Sequence, residues 1–287
     1  MKHLHTISLS VALLAALSTI PTVMGADEPT AMDIVRKSNR VAYYQGRDGR
    51  ADVKMTITDS QGRTRNREMT ILRWDQVDPN APKVAPAAAK DPNKADEYCG
   101  DQKFYVYFHR PADVNRMAFL VWKHLTAEDD RWLYLPGLDL VKRISSADKR
   151  TSFVGSNYFY EDVSGRNIND DKHELTKTTN TYYVLKSTPK DAKGVEFGHY
   201  VTWIHKTTFV VVMQDYYDKD GKKYRTYKAL GMKQIGEYWT VTKSQMSDLR
   251  TKGMTVLEYD NIRYNTGIGE DVFTERYLRR APQSYLK

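Results

Sequence analysis

The chain has 287 residues, with 44 Lys and Arg against 36 Asp and Glu, a formal charge of +8 and a single cysteine. One cysteine excludes an internal disulfide framework, so the fold must rest on its apolar core. The basic balance would suit nucleic acid in a cytosolic protein, but the N-terminus argues for export. Anionic head groups or an acidic protein face then fit the charge better, and a merely solubilising surface explains it equally well.

Residues 1–26 read as a signal peptide. Lys2 supplies the basic start, an apolar run from Ile7 to Leu17 follows, and small residues stand near Gly25 and Ala26. The run is too short to span a bilayer comfortably. Its removal takes away Lys2 and leaves a charge of +7, from +8 minus one. The remaining 27–287 is read as one domain of about 260 residues, and the periplasm as its compartment.

The first element of that domain is a helix over 30–44. Ala31, Ile34, Val35, Val41 and Ala42 recur near one helical face, with Asp33, Arg36, Lys37 and Arg40 mainly on the other. Pro29 and Thr30 suit its start and Gly46 its end. After Gly49 the period changes to two: Ala51, Val53, Met55 and Ile57 alternate with Asp52, Lys54 and Thr56. The second strand, RNREMTILRW, follows the turn DSQGRT. Residues 77–97, rich in Pro, Ala and Lys, read as an exposed insertion.

Further strands are KFYVYFH, RMAFLVWKH, RWLYLP, DLVKRIS, TYYVLKS, HYVTWIHK, a hairpin turning at Asp218–Gly221, EYWTVTKSQM and MTVLEYDNIRY. About a dozen strands with short links predict a mainly β chain, one long antiparallel meander. Several strands are apolar on both faces. Phe104, Val106 and Phe108 oppose Tyr105 and Tyr107, while Trp132 and Tyr134 oppose Leu133 and Leu135. One face needs a cover of helix and loops, and the other is either a second packed face or the wall of a cavity.

The sequence carries no catalytic motif. A GxSxG elbow, HExxH, CxxC and a phosphate-cradling loop are all missing. His199 and His205 share a strand face but sit about 20 Å apart, too far for one metal. Adjacent Glu161 and Asp162 would point to opposite faces of a strand, which disfavours a paired acid and base. The expectation is a non-enzyme without metal or cofactor. Rings interleaved with cations in RISSADKRTSFVGSNYFYEDV suit an amphipathic ligand better than nucleic acid in an exported protein.

The block DRWLYLPGLDLVKRISSADKRTSFVGSNYFYEDV resembles the signature of the LolA-like family of outer-membrane lipoprotein-sorting proteins. The matching positions are Trp132, Tyr134, Leu135 and Pro136; Lys142, Arg143 and Ile144; Ser152, Phe153, Gly155 and Ser156; and Tyr160, Glu161 and Asp162. YFHRPADVNRMAFL and DVFTERYLRR resemble flanking family segments, with Arg116 where glycine is usual. The resemblance implies a curved, incomplete antiparallel β-barrel of the LolA/LolB type, with helices covering its concave face and a cavity for acyl chains.

It also implies a periplasmic carrier of a lipid or lipoprotein moving towards the outer membrane, with transient membrane contact. An RND-type inner-membrane transporter and an outer-membrane acceptor would be its partners. The alternative is a non-catalytic adaptor or scaffold for an RND-type exporter, and a hydrolase comes third. Cavity candidates are Phe104, Val106, Phe108, Trp132, Tyr134 and Trp203 on strands, with Phe153, Phe159 and Tyr160 at the mouth. Candidates for docking a partner or head group are Lys142, Arg143, Lys149 and Arg150. The helix over 30–44 is either a lid or a permanent plug.

Overall fold

A computed structural model describes residues 28–76 and 100–287. The stretches read from the sequence as a signal peptide (1–26) and an exposed insertion (77–97), together with Cys99, lie outside these residues. Helix α1 spans Ala31–Tyr43 and starts with a capping box: the Thr30 hydroxyl accepts from the Asp33 amide at 3.2 Å, and the Asp33 carboxylate accepts from the Thr30 amide at 3.2 Å. Two of the orphan donors at the helix start are thereby satisfied.

Six strands follow, each paired antiparallel with the one before. They are β1 (Asp48–Thr58), β2 (Thr64–Asp75), β3 (Gln102–Arg110), β4 (Ala118–Lys123), β5 (Asp130–Leu135) and β6 (Leu140–Arg143). A second run contains β7 (Asp171–Thr178), β8 (Tyr182–Pro189), β9 (Phe197–His205), β10 (Val211–Asp218), β11 (Lys223–Ile235), β12 (Tyr238–Asp248) and β13 (Gly253–Tyr264). The spatial order is β6-β5-β4-β3-β2-β1-β13-β12-β11-β10-β9-β8-β7. The fold is therefore mainly β, one 13-stranded antiparallel sheet that does not close into a barrel.

The single meander expected from the sequence is two meanders, joined where β1 pairs with β13. The strand missed by sequence reading is β7. It is an edge strand whose residues beyond Asp171 are largely exposed, so it shows no apolar alternation. Arg116, at the position usually glycine in the resembling family, has φ +67°, the left-handed region that glycine occupies without strain.

Both sheet faces are buried along β2–β5. On the inner face Val53, Met55, Met69, Phe104, Val106, Phe108, Phe119 and Leu133 form one cluster. On the outer face Leu72, Tyr105, Leu120, Trp132 and Tyr134 pack against Ile268, Val272, Phe273, Leu278 and Leu286. The C-terminal segment, with short helices α3 (Arg276–Arg279) and α4 (Gln283–Leu286), thus covers the outer face. Two polar ring atoms fasten it: the Tyr105 hydroxyl donates to Tyr277 O at 2.8 Å, and Trp122 Nε1 donates to Phe273 O at 2.7 Å. Buried Tyr and Trp tips need such partners.

Candidate functional site: a cavity under the crossing segment

Strands β6 and β7 are neighbours in the chain but lie at opposite edges of the sheet. Residues 144–170 must cross between them, and they do so over the concave face. Ile144, Phe153, Tyr158 and Tyr160 sink into the inner cluster. Phe153 meets Phe119 and Tyr160 at ring-centroid distances of 5.4 and 5.5 Å. Polar contacts reach strands of the second meander: Asn157 N donates to Thr255 Oγ1 at 2.9 Å, and the Tyr158 hydroxyl meets Ser244 Oγ at 2.9 Å.

The crossing ends in helix α2 (Tyr160–Ser164), where the Asp162 carboxylate accepts from the Phe159 amide at 2.6 Å. Three arginines lock this stretch to the sheet. Arg150 bridges Glu161 at 2.5 Å and Glu196 at 2.6 Å. Arg166 holds Asp171 at 2.9 Å and Glu161 at 3.4 Å. Arg225 pairs with Asp162, donates to Asn157 O at 3.0 Å, and stacks 3.9 Å from the Phe159 ring centroid. Glu161 and Asp162 thus serve different arginines. Arg150 and Arg166 are both held more firmly protonated than usual: burial opposes the charge, but their carboxylate partners outweigh it.

A cavity of about 420 Å³ lies between the concave face, α1 and the crossing segment. That is within the range of small-molecule sites, roughly 300–1,000 Å³. Val35, Val41 and Ala42 of α1 form one wall. Met55, Met69, Ile71, Phe104 and Val106 form another, and Leu185, Ile204, Val211, Met246 and Leu257 line the far side. Burial raises the hydroxyls of the wall residues Tyr158, Tyr227 and Tyr259, that of Tyr259 to about 12, so they stand neutral. Polar groups gather near α2, where Glu161, Asp162 and Arg166 reach the wall. The chamber is mostly apolar with a charged corner, a shape that can shield a hydrocarbon.

The structure separates the candidate residues. Phe104, Val106 and Phe153 line the cavity. Phe108 and Tyr160 pack behind its wall in the inner cluster. Trp132 and Tyr134 are on the outer face beneath the C-terminal segment, so they do not line it. Trp203 alternates with the lining residues Thr202 and Ile204 and therefore faces outward. Phe159 is sandwiched by Arg225 and Arg150 rather than placed at a mouth.

The four docking cations form no common patch. Lys142 and Arg143 are exposed, and Arg143 pairs with Asp130. Lys149 has a side chain only 14% exposed and pairs with Glu128, while the Arg150 side chain is 7% exposed inside the ion network. Arg150 is a structural cation because its charge is spent on two carboxylates. Among the described residues no group of three His, Cys, Asp or Glu could hold a metal. No described helix is long and apolar enough to cross a membrane.

A family model described only as "Uncharacterized protein" matches residues 100–280. A DUF1329 family protein from Desulfovibrio piger has a similar structure, with TM-score 0.72 and 26% identity, covering 88% of this chain and 99% of that one. A domain from Vibrio parahaemolyticus assigned as an outer membrane lipoprotein-sorting protein gives TM-score 0.74 and 26% identity, covering 87% and 98%. A LolA superfamily protein from Nitrosomonas europaea shares the fold, with TM-score 0.63 and 18% identity over 87% of this chain and 100% of that one. No curated protein gives a match.

Proposed function

We propose that this chain, which matches a family described only as "Uncharacterized protein" and is similar in structure to outer membrane lipoprotein-sorting proteins, is a non-catalytic carrier that shields acyl chains in transit through the periplasm. The observation that carries this reading is the apolar chamber of about 420 Å³ between α1, the crossing segment and the concave sheet. A protein that needed only a scaffold would gain stability by filling that space, since interiors pack densely and cavities cost.

An acyl chain crossing water exposes each methylene at about 0.8 kcal/mol, so ten methylenes amount to roughly 8 kcal/mol. The chamber removes that penalty during transfer. Release then requires a competing acceptor or an opened chamber. In this reading the cargo is a lipid or lipoprotein. An RND-type inner-membrane transporter supplies it and an outer-membrane acceptor receives it.

The test is mass spectrometry of organic extracts from protein purified without detergent. One lipid-bearing molecule per chain is the expected result. A protein that is empty and takes up no lipid when offered it would sink the carrier reading and leave the adaptor role.

A further inference from the structure

Arg65 and Arg67 stand two residues apart on β2, so both side chains leave the same sheet face. It is the concave face, because Met69, two positions further on, belongs to the inner cluster. Their cross-strand partners are Ile57 and Met55, both members of that cluster. Arg67 is therefore a guanidinium held among apolar side chains and is only 8% exposed. Its Nε and Nη1 are shut off from solvent and meet no hydrogen-bond partner among the described residues. Arg150 and Arg225, whose side chains are also enclosed, each hold a carboxylate. Buried polar groups without partners are uncommon in native proteins and call for an explanation.

The remaining nitrogen of Arg67, Nη2, lies towards Gly155. A side-chain carbon placed on Gly155 would lie 4.0 Å from Arg67 Nη2, and 3.9 and 4.0 Å from Arg65 Nη1 and Nη2, with no nearer atom beyond the adjoining residues of its own turn. Two like charges converge on one open point. Asp113 reaches Arg67 through charge alone, while burial and the charge of Arg65 both disfavour its protonated form. Hydrogen bonds define the turn beneath. Val154 and Gly155 adopt φ +51° and +77°. Ser152 Oγ donates to Ser156 O at 2.6 Å, and Phe153 N donates to Tyr158 O at 2.7 Å. Any other residue at 155 would fill the open point with its own Cβ.

We propose that Arg65, Arg67 and the Val154–Gly155 turn form a binding site for a phosphate-class anion. An oxyanion seated over Gly155 accepts from Nη2 of Arg67 and from Nη1 and Nη2 of Arg65, and it cancels the repulsion between the two guanidinium groups. The planar fork of arginine suits a group with several oxygens. None of these four residues lines the cavity, so the site stands whether or not the cavity holds cargo. Inorganic phosphate and the phosphate of a phospholipid head group share the chemistry.

Calorimetric titration in chloride buffer, at constant ionic strength, tests the proposal with two probes: inorganic phosphate, and dihexanoyl phosphatidic acid below its micelle concentration. One-to-one binding is expected, weakened at least tenfold in both Arg67→Met and Arg65→Gln. At a hundredfold excess over Kd, phosphate should raise the wild-type Tm by about 5 °C and leave that of Arg67→Met unchanged. Without phosphate, Arg67→Met should melt no lower than the wild type, because it removes an unpaired buried cation. If Arg67→Met fails to fold, the exposed Arg65→Gln carries the comparison. Equal affinity for the two probes identifies free phosphate as the ligand, and tighter lipid binding identifies a head group. Absence of binding to the wild type, or binding by both variants as tight as that of the wild type, overturns the proposal.

Discussion

Replacing Ile34 by alanine separates a lid from a plug. Ile34 is fully buried against Tyr183, Leu185 and Ile204, so it ties the N-terminal half of α1 to the second meander. Lys37 adds a contact 5.2 Å from the Phe209 ring centroid. The other end of the helix is pinned differently. Arg73 and Gln102 donate to Tyr43 O at 2.5 and 2.8 Å, and Gln45 Nε2 donates to Trp239 O at 2.8 Å. A moving helix would therefore swing about residues 43–46, where Gly46 has φ +71°. Truncating a buried isoleucine costs about 2–5 kcal/mol. Taking 2–4 kcal/mol, the opening constant of α1 rises roughly 30- to 1,000-fold.

Native-state hydrogen exchange reads this directly. In a lid, the amides of 34–42 exchange faster than those of β1 and β2 and with little dependence on denaturant, and Ile34→Ala accelerates them by that factor. Release of bound lipid should accelerate in parallel. If α1 and sheet amides exchange together, with one protection factor and one denaturant slope, α1 is a structural plug and the swinging-helix reasoning is refuted.

Breaking the Arg225–Asp162 pair, whose side chains are 1% and 15% exposed, with Arg225→Met should lower urea stability by about 3–5 kcal/mol, and adding Asp162→Leu should restore much of it. Burial alone would raise the Glu196 carboxyl, but its hydrogen bonds and the Arg150 charge hold it down at about 2. A depressed carboxylate contributes stability above its ordinary value of 4.5 that disappears as pH falls towards 2. Glu196→Gln should therefore be less stable at neutral pH and show a shallower acid limb in a series of melts. Lys142→Glu with Arg143→Glu should change the unfolding free energy by no more than about 0.5 kcal/mol, and should weaken any salt-sensitive docking. Arg150→Glu should instead fail to fold or lose several degrees, because it places three carboxylates together.

Much of the sheet was legible because a half-buried strand writes its faces into the sequence. Phe104, Val106 and Phe108 do share one face, and Tyr105 takes the other. Alternation cannot say which face a distant segment will cover. Trp132 and Tyr134 look as suited to a cavity as Phe104 does. They are claimed by Phe273 and Leu278, more than a hundred positions away. Arg150 shows the same limit for charge: its partner Glu196 lies 46 positions along the chain, and only the fold brings them together. The lining contributed by β8–β13 went unseen for that reason too, since residues such as Gln214 and Ile262 carry no local mark of their position.

The cavity follows from topology more than from any motif. With β1 and β13 paired in the middle of the sheet, the two edges are consecutive strands, β6 and β7. Thirteen strands at about 4.8 Å spacing make an arc of roughly 58 Å between those edges. The connection over 144–170 holds a helix and tight turns, so it falls well short of its extended length. Joining the edges of a flat sheet would draw it out towards full extension, whereas a curled sheet brings the edges within reach of its folded form. The segment then lies across the arc as a chord, and the space between chord and arc must be filled or left open. Phe153, Tyr158 and Tyr160 fill one side. Arg150, Arg166 and Arg225 rivet α2 and its flanks to the other. The remaining gap, roofed by α1, is the chamber. A sheet closed edge to edge would have no such chord, so the open barrel and the cavity have the same cause.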